Sequence, residues 1–189
     1  MQNAVRNARL KLLLLAGVFL APLVAASYTY FVVKPKGSSY GELLTPIVLP
    51  DAPMKLLDGA AFRLTALHGK WVLVSVDGGG CGTMCRNKLY SMRQARLVQG
   101  KDQNRIERVW FINNAQRPLA DVLEAYQGTF LVDARANPII TQLPANGSTQ
   151  AYIYLLDPLG NLILRYPDNA DPAKLAKDLR RLLMASLIG

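Results

Sequence analysis

An apolar run, Trp71-Val72-Leu73-Val74-Ser75-Val76, leads through the glycines Gly78-Gly79-Gly80 into Cys81-Gly82-Thr83-Met84-Cys85, and these two cysteines are the only ones in the 189-residue chain. A short apolar run bounded by glycines reads as a buried strand. The order is therefore strand, glycine-rich turn, then paired thiols at a helix start. Four residues is about one helical turn, so both thiols fall on one face. There they can form a disulfide or hold one soft metal ion.

The N-terminus carries the second constraint. Leu12 to Val33 runs 22 residues without a charge, and at about 1.5 Å per residue such a helix spans a bilayer core. Arg6, Arg9 and Lys11 precede the run and Lys34 and Lys36 follow it. The excess of cations on the short N-terminal side predicts that residues 1–11 stay cytoplasmic, with the main domain outside. Gly17 and Pro22 are compatible with a membrane helix. A cleaved leader is the rival reading, because Ala25-Ala26-Ser27 offers small residues. Against it, Tyr28-Thr29-Tyr30-Phe31-Val32-Val33 carries the hydrophobicity past that site, with aromatics placed as in an interfacial belt. The expectation is an uncleaved anchor over 12–33, a linker over 34–50 and one domain over 51–189. About 150 residues suit a single ordinary core.

Five of the 22 Lys and Arg flank the anchor, and the other 17 face 13 acids, leaving the outer part at +4. Much of that excess sits in Arg86 to Arg108, which holds seven cations against Asp102 and Glu107. A solvated helix face is the plain reading of the segment, and an anionic membrane surface or an acidic partner is the rival. Nucleic acid is not an expected partner outside the cytoplasm.

Beyond residue 50 the pattern alternates β and α. Lys55-Leu56-Leu57, Asp58-Gly59 and Phe62-Arg63-Leu64 predict a hairpin. Cys85, Leu89 and Met92 recur at helical spacing, and Gly100 is expected to end that helix. Val109 to Ile112 is a strand, and Leu119 to Tyr126 a short helix between Pro118 and Gly128. Ala151 to Leu156 and Leu162 to Tyr166 flank the turn Asp157-Pro158-Leu159-Gly160-Asn161. Asp171-Pro172 starts a last amphipathic helix with Leu175, Leu179, Leu182 and Leu183 on its apolar stripe. The order predicts an α/β fold, a central mixed sheet flanked by helices, preceded by one transmembrane helix.

Gly69-Lys70-Trp71-Val72-Leu73-Val74 leading to Cys-x-x-x-Cys, and later Tyr154-Leu155-Leu156-Asp157-Pro158-Leu159-Gly160, resemble the Sco/SenC family of membrane-tethered cytochrome oxidase assembly proteins. The resemblance covers most of Ala52 to Leu183. It implies a thioredoxin-like domain on the outer, periplasmic side of a bacterial inner membrane. It also implies partners among the copper-bearing subunit of cytochrome c oxidase and other assembly factors. The family's copper site uses both cysteines and a histidine just before the late strand. Here Thr149 stands at that position, within Ser148-Thr149-Gln150, and Arg86 replaces the proline after the second cysteine.

The only histidine is His68, in the turn Ala66-Leu67-His68-Gly69-Lys70, away from the aligned site. Two thiolates suffice for Cu(I), with Met84 as a third soft donor or a mere spacer, whereas Cu(II) lacks its imidazole. The pair also supports redox chemistry without metal. Cys81 at the helix start, beside Arg86 and Lys88, is the expected attacking thiolate, and Cys85 the buried resolving one. A static staple explains the pair poorly, because so small a loop constrains the unfolded chain little. Pro144 is the nearest proline to the loop facing the cysteines. Asp77 reads as a turn-former beside the glycines. No phosphate-loop or dinucleotide fingerprint is present. Candidate site residues are Cys81 and Cys85, as redox pair or copper ligands, with Met84. The expected role is an oxidase assembly factor handling thiols or Cu(I) for the dinuclear copper centre. A general periplasmic thiol–disulfide oxidoreductase, or a non-catalytic assembly scaffold, is the alternative.

Overall fold

The computed structural model describes residues 2–30 and 39–186, and the chain divides into two compact units after Ser38. The first unit holds the helix α1 (Gln2–Tyr28), with Pro22 inside it. Its side chains at Leu12, Leu15, Val18, Phe19, Leu23 and Val24 are exposed. Among the described residues no helix is long and apolar enough to cross a membrane. The expected span also counts the Leu13 side chain and residues 31–33, which lie outside them.

The second unit is built on an eight-stranded mixed sheet: β1 (Glu42–Val48), β2 (Met54–Leu56), β3 (Ala61–Phe62), β4 (Trp71–Asp77), β5 (Ile106–Ile112), β6 (Phe130–Asp133), β7 (Tyr152–Leu156) and β8 (Asn161–Pro167). Their spatial order is β1-β8-β7-β4-β5-β6-β2-β3. β4, β5 and β6 run parallel, and the other pairings are antiparallel. The helices are α2 (Thr83–Leu97), α3 (Ala120–Ala125), α4 (Pro138–Gln142) and α5 (Pro172–Ala185).

Alternation along β4 builds both faces of the core, as a sheet covered on each side requires. Trp71 and Leu73 pack with Met92 and Ala95 of α2 and Leu175, Leu179 and Leu183 of α5. Val72, Val74 and Val76 pack on the opposite face with Phe111, Val132, Ile139 and Leu143. Parallel strands need crossovers, and α2 connects β4 to β5. It therefore starts at the C-terminal end of the central strand, which is where the cysteines lie.

Several expectations change. The segment 34–50 is not all linker: β1 pairs with β8, and Asp178 Oδ2 accepts hydrogen bonds from Ser39 Oγ, Tyr40 N and Gly41 N at 2.7–3.0 Å. Residues 34–38 lie outside the described part. β6 and α4 carry little local signal, because Phe130-Leu131-Val132 is a very short apolar run and α4 a single turn. The first helix after the cysteines stops at Leu97, with Gly100 opening a 3-10 turn at φ +59° rather than ending the helix.

Candidate functional site

Cys81 and Cys85 form a disulfide, with their Cα atoms 5.0 Å apart. The helix begins at Thr83 with Gly82 as its N-cap, so Cys85 belongs to the first turn and Cys81 stands one residue before the cap. Cys81 has φ +40°, a left-handed backbone in a residue other than glycine, which costs on the order of 1–2 kcal/mol and needs support. The support is visible. Cys81 N donates to Gly78 O at 3.1 Å, and Arg86 Nε donates to Cys81 O at 3.3 Å.

The three glycines follow from what faces them. A Cβ at Gly79 would run into the Gln116 carbonyl, one at Gly78 into the Asn114 amide, and one at Gly80 would sit 2.7 Å from Gln116 Oε1. Asn114 Oδ1 accepts from Gly79 N at 2.9 Å and from Gln116 N at 3.1 Å, holding the 113–117 loop against the run. The outcome is a cleft of about 690 Å³ lined by the disulfide, Met84, Asp77, Asn114, Gln116 and Gln150.

Both cysteines are nearly shut off, at 4% and 3% exposure, packed with Leu89, Trp110, Ile112 and Val122. The expected contrast, with Cys85 clearly the more buried of the two, is therefore absent in the oxidised state. The packing of α3 accounts for it. Arg86 Nη1 pairs with Asp121 at 2.9 Å, and Tyr126 Oη donates to Arg86 O at 3.1 Å, drawing α3 over the sulfurs. The pairing with Arg86 holds the Asp121 carboxyl below its usual range. Arg86 thus serves Cys81 through its backbone and is already paired in charge.

Asp77 and Lys88 are the residues that sequence reasoning misassigned. Lys88 is fully buried, and its Nζ donates to Val76 O at 3.1 Å and Gln150 O at 2.6 Å. The same Nζ lies 2.8 Å from Asp77 Oδ2 as an ion pair, although that oxygen has no well-directed hydrogen bond. Burial pushes the Asp77 carboxyl up to about 6, against the pull of Lys88. Burial likewise lowers Lys88, against the pull of Asp77. Asp77 is thus neither an exposed turn-former nor an ordinary carboxylate, and Lys88 is no solvated helix cation. One clue was available: Lys88 follows Cys85 by three residues on the face of Leu89 and Met92, and a lysine on a core face calls for a carboxylate.

Met84 reaches the cleft and is 53% exposed, so it is not core packing. Thr149 opens a 3-10 turn with Ser148 as its N-cap, but the residue of that turn that lines the cleft is Gln150. His68 instead lines a separate groove with Leu49, Leu64 and Leu159. Pro144 lies elsewhere, its carbonyl accepting from Tyr154 Oη and Arg165 Nη1. Among the described residues no cluster of three or more His, Cys, Asp or Glu stands ready to hold a metal ion. Once reduced, the two thiols would be soft donors of the kind Cu(I) takes, with the Met84 thioether on the same cleft, and no imidazole is among the residues lining it.

Among solved structures, Bradyrhizobium japonicum ScoI with copper bound is 19% identical with a TM-score of 0.58, the match covering 71% of this chain and 99% of that one. Yeast Sco1 with copper bound is 12% identical at a TM-score of 0.65, covering 76% and 97%. A putative protein disulfide isomerase from Bacteroides thetaiotaomicron is 19% identical at 0.54, covering 77% and 94%. At such identities these likenesses establish the thioredoxin-like fold. No curated protein matches the sequence. The family described as "transmembrane-like, thioredoxin-like, C-terminal domain" matches residues 71–186, more than half of the chain, and the chain belongs to it.

Proposed function

We propose that the domain exchanges thiols and disulfides through Cys81 and Cys85, as a Sco/SenC-like assembly factor for cytochrome c oxidase. The observation that carries the redox reading is the carboxyl of Asp77 in the same cleft as the disulfide, raised toward neutrality by burial and held beside Lys88. A group of that kind can trade a proton with a thiol near neutral pH. In the reducing direction the client disulfide is attacked by the Cys81 thiolate, and one client sulfur leaves. The Cys85 thiol gives its proton to Asp77 and attacks Cys81 Sγ, releasing the second client sulfur. The client gains two electrons and the pair becomes the disulfide.

The cargo reading has its own observation: Met84, exposed beside the two sulfurs, supplies a third soft donor for Cu(I) as a transferred ion. The clients are cysteine pairs of the copper-bearing oxidase subunit, which need reduction before they take up copper. The anchor reading rests on the uncharged run Leu12 to Val33 and on the cations flanking it, which orient the domain outward. Nucleic acid has no place in this reading.

The test is trapping. In cells carrying the Cys85→Ser full chain, Cys81 should accumulate mixed disulfides that include the copper-bearing oxidase subunit. No trapped oxidase subunit in the Cys85→Ser cells, together with normal oxidase in a Cys81→Ser strain, would overturn the assembly role.

A further inference from the structure

The basic segment Arg86 to Arg108 is not the solvated face its composition suggests. Arg86 and Lys88 are paired with acids, as above. Arg105 reaches Asp102 and the carbonyls of Leu183 and Ser186. Three guanidinium groups remain without a carboxylate among the ion pairs of the described residues: Arg93, Arg96 and Arg108. Arg93 and Arg96 are one turn apart on α2, and Arg96 Nε is anchored on Ile106 O at 2.7 Å, two residues from Arg108 on β5.

Arg108 is the unusual member. It is 4% exposed, and only Nη2 has a partner, Gln127 O at 2.7 Å, while Nε and Nη1 are buried without an acceptor. Two unmatched charged donors are costly in a protein interior, and such groups call for an unseen water or ion. Burial, with Arg96 and Arg93 next, pushes the Arg108 guanidinium down to about 10. Arg96 and Arg93 therefore act on Arg108 as neighbouring like charges, while Glu107 beside it on β5 pulls the other way.

We propose that Arg93, Arg96 and Arg108 form a binding site for a phosphate-type oxyanion, between α2 and the turn at Gln127 and Gly128. A tetrahedral dianion offers several acceptor oxygens and answers three converging cations better than a carboxylate does. Arg93 is exposed, so an anion meets the site from solvent there, and it reaches Arg108 Nε and Nη1 as the side chains over them move on a nanosecond scale. The site lies apart from the cleft of Cys81 and Cys85, so it is independent of the redox reading. Its phosphate is either free in solution or the headgroup of an anionic lipid.

The full chain in a neutral maltoside detergent is melted in chloride, phosphate or acetate at equal ionic strength, and with short-chain phosphatidic acid. At about ten times Kd, phosphate should raise Tm by roughly 3–6 °C over chloride. Arg93→Gln, at an exposed position, and Arg108→Gln, which can keep the bond to Gln127 O, should each abolish most of the rise. Lys101→Gln, an exposed cation outside the trio, should leave it intact. A rise with phosphatidic acid but not with inorganic phosphate would support the site with lipid as the source. No rise with either, an equal rise with acetate, or a rise that persists in both Arg93→Gln and Arg108→Gln would overturn it.

Discussion

Lys88 Nζ and Asp77 Oδ2 lie 2.8 Å apart with almost no exposure to solvent, one residue on the first turns of α2 and the other at the end of β4. The pair joins the strand that ends at the cleft to the helix that carries Cys85. Through Gln150 O it also reaches the turn before β7.

The first prediction concerns proton transfer. Asp77, raised to about 6, is a carboxylate above that pH and a carboxylic acid below it. Oxidation of the reduced pair requires Cys85 to lose a proton, so its rate should rise as pH increases through about 6. Asp77→Asn should flatten that limb and slow the step by roughly 10–100-fold. Stopped-flow fluorescence with a small disulfide reports the rate. The same limb in Asp77→Asn would exclude this carboxyl as the acceptor.

Removing one member of a buried ion pair strands the other. Lys88→Met should destabilise the domain by about 3–5 kcal/mol, and adding Asp77→Leu should recover most of the loss. Urea denaturation of the single and double variants measures the difference.

Gly79→Ala should cost about 1–3 kcal/mol, because the new Cβ meets the backbone carbonyl of Gln116 rather than a yielding side chain. Gly82→Ala has nothing within 4 Å and an ordinary φ of −66°. As an N-cap change it should cost about 0.5–1 kcal/mol, because alanine is a poorer cap than glycine. Thermal melts rank the two, and comparable costs would contradict the contact.

For copper, the residue to change is Gln150 rather than Thr149, because Gln150 lines the cleft. Gln150→His should strengthen Cu(II) binding by the reduced protein, with Thr149→His giving less. Anaerobic titration followed by EPR separates them. Tight Cu(II) binding by the unaltered protein would contradict a cleft lined without imidazole.

Asp178 holds the start of the outer domain through three hydrogen bonds from Ser39, Tyr40 and Gly41. Asp178→Ala should lower stability by about 2–3 kcal/mol, since buried donors lose a charged acceptor. Hydrogen exchange should show the 39–48 segment opening first.

The chain by itself determined the strand, glycine and thiol order, the late hairpin about Asp157 and Gly160, and the helix begun by Asp171-Pro172. Each of these is a local matter: apolar periodicity, turn chemistry and capping act within a few residues. The closeness of the two cysteines, which lets them form a disulfide, was legible for the same reason. Only the tertiary structure decided the rest. β1 joins the sheet because β8 offers it an edge, 123 residues away in Glu42 and Arg165 and closed by their ion pair at 2.7 Å. Arg86 and Lys88 look alike on paper. One pairs at the surface with Asp121 and the other is buried against Asp77, because the cost of burying a charge depends on the partner that folding brings to it.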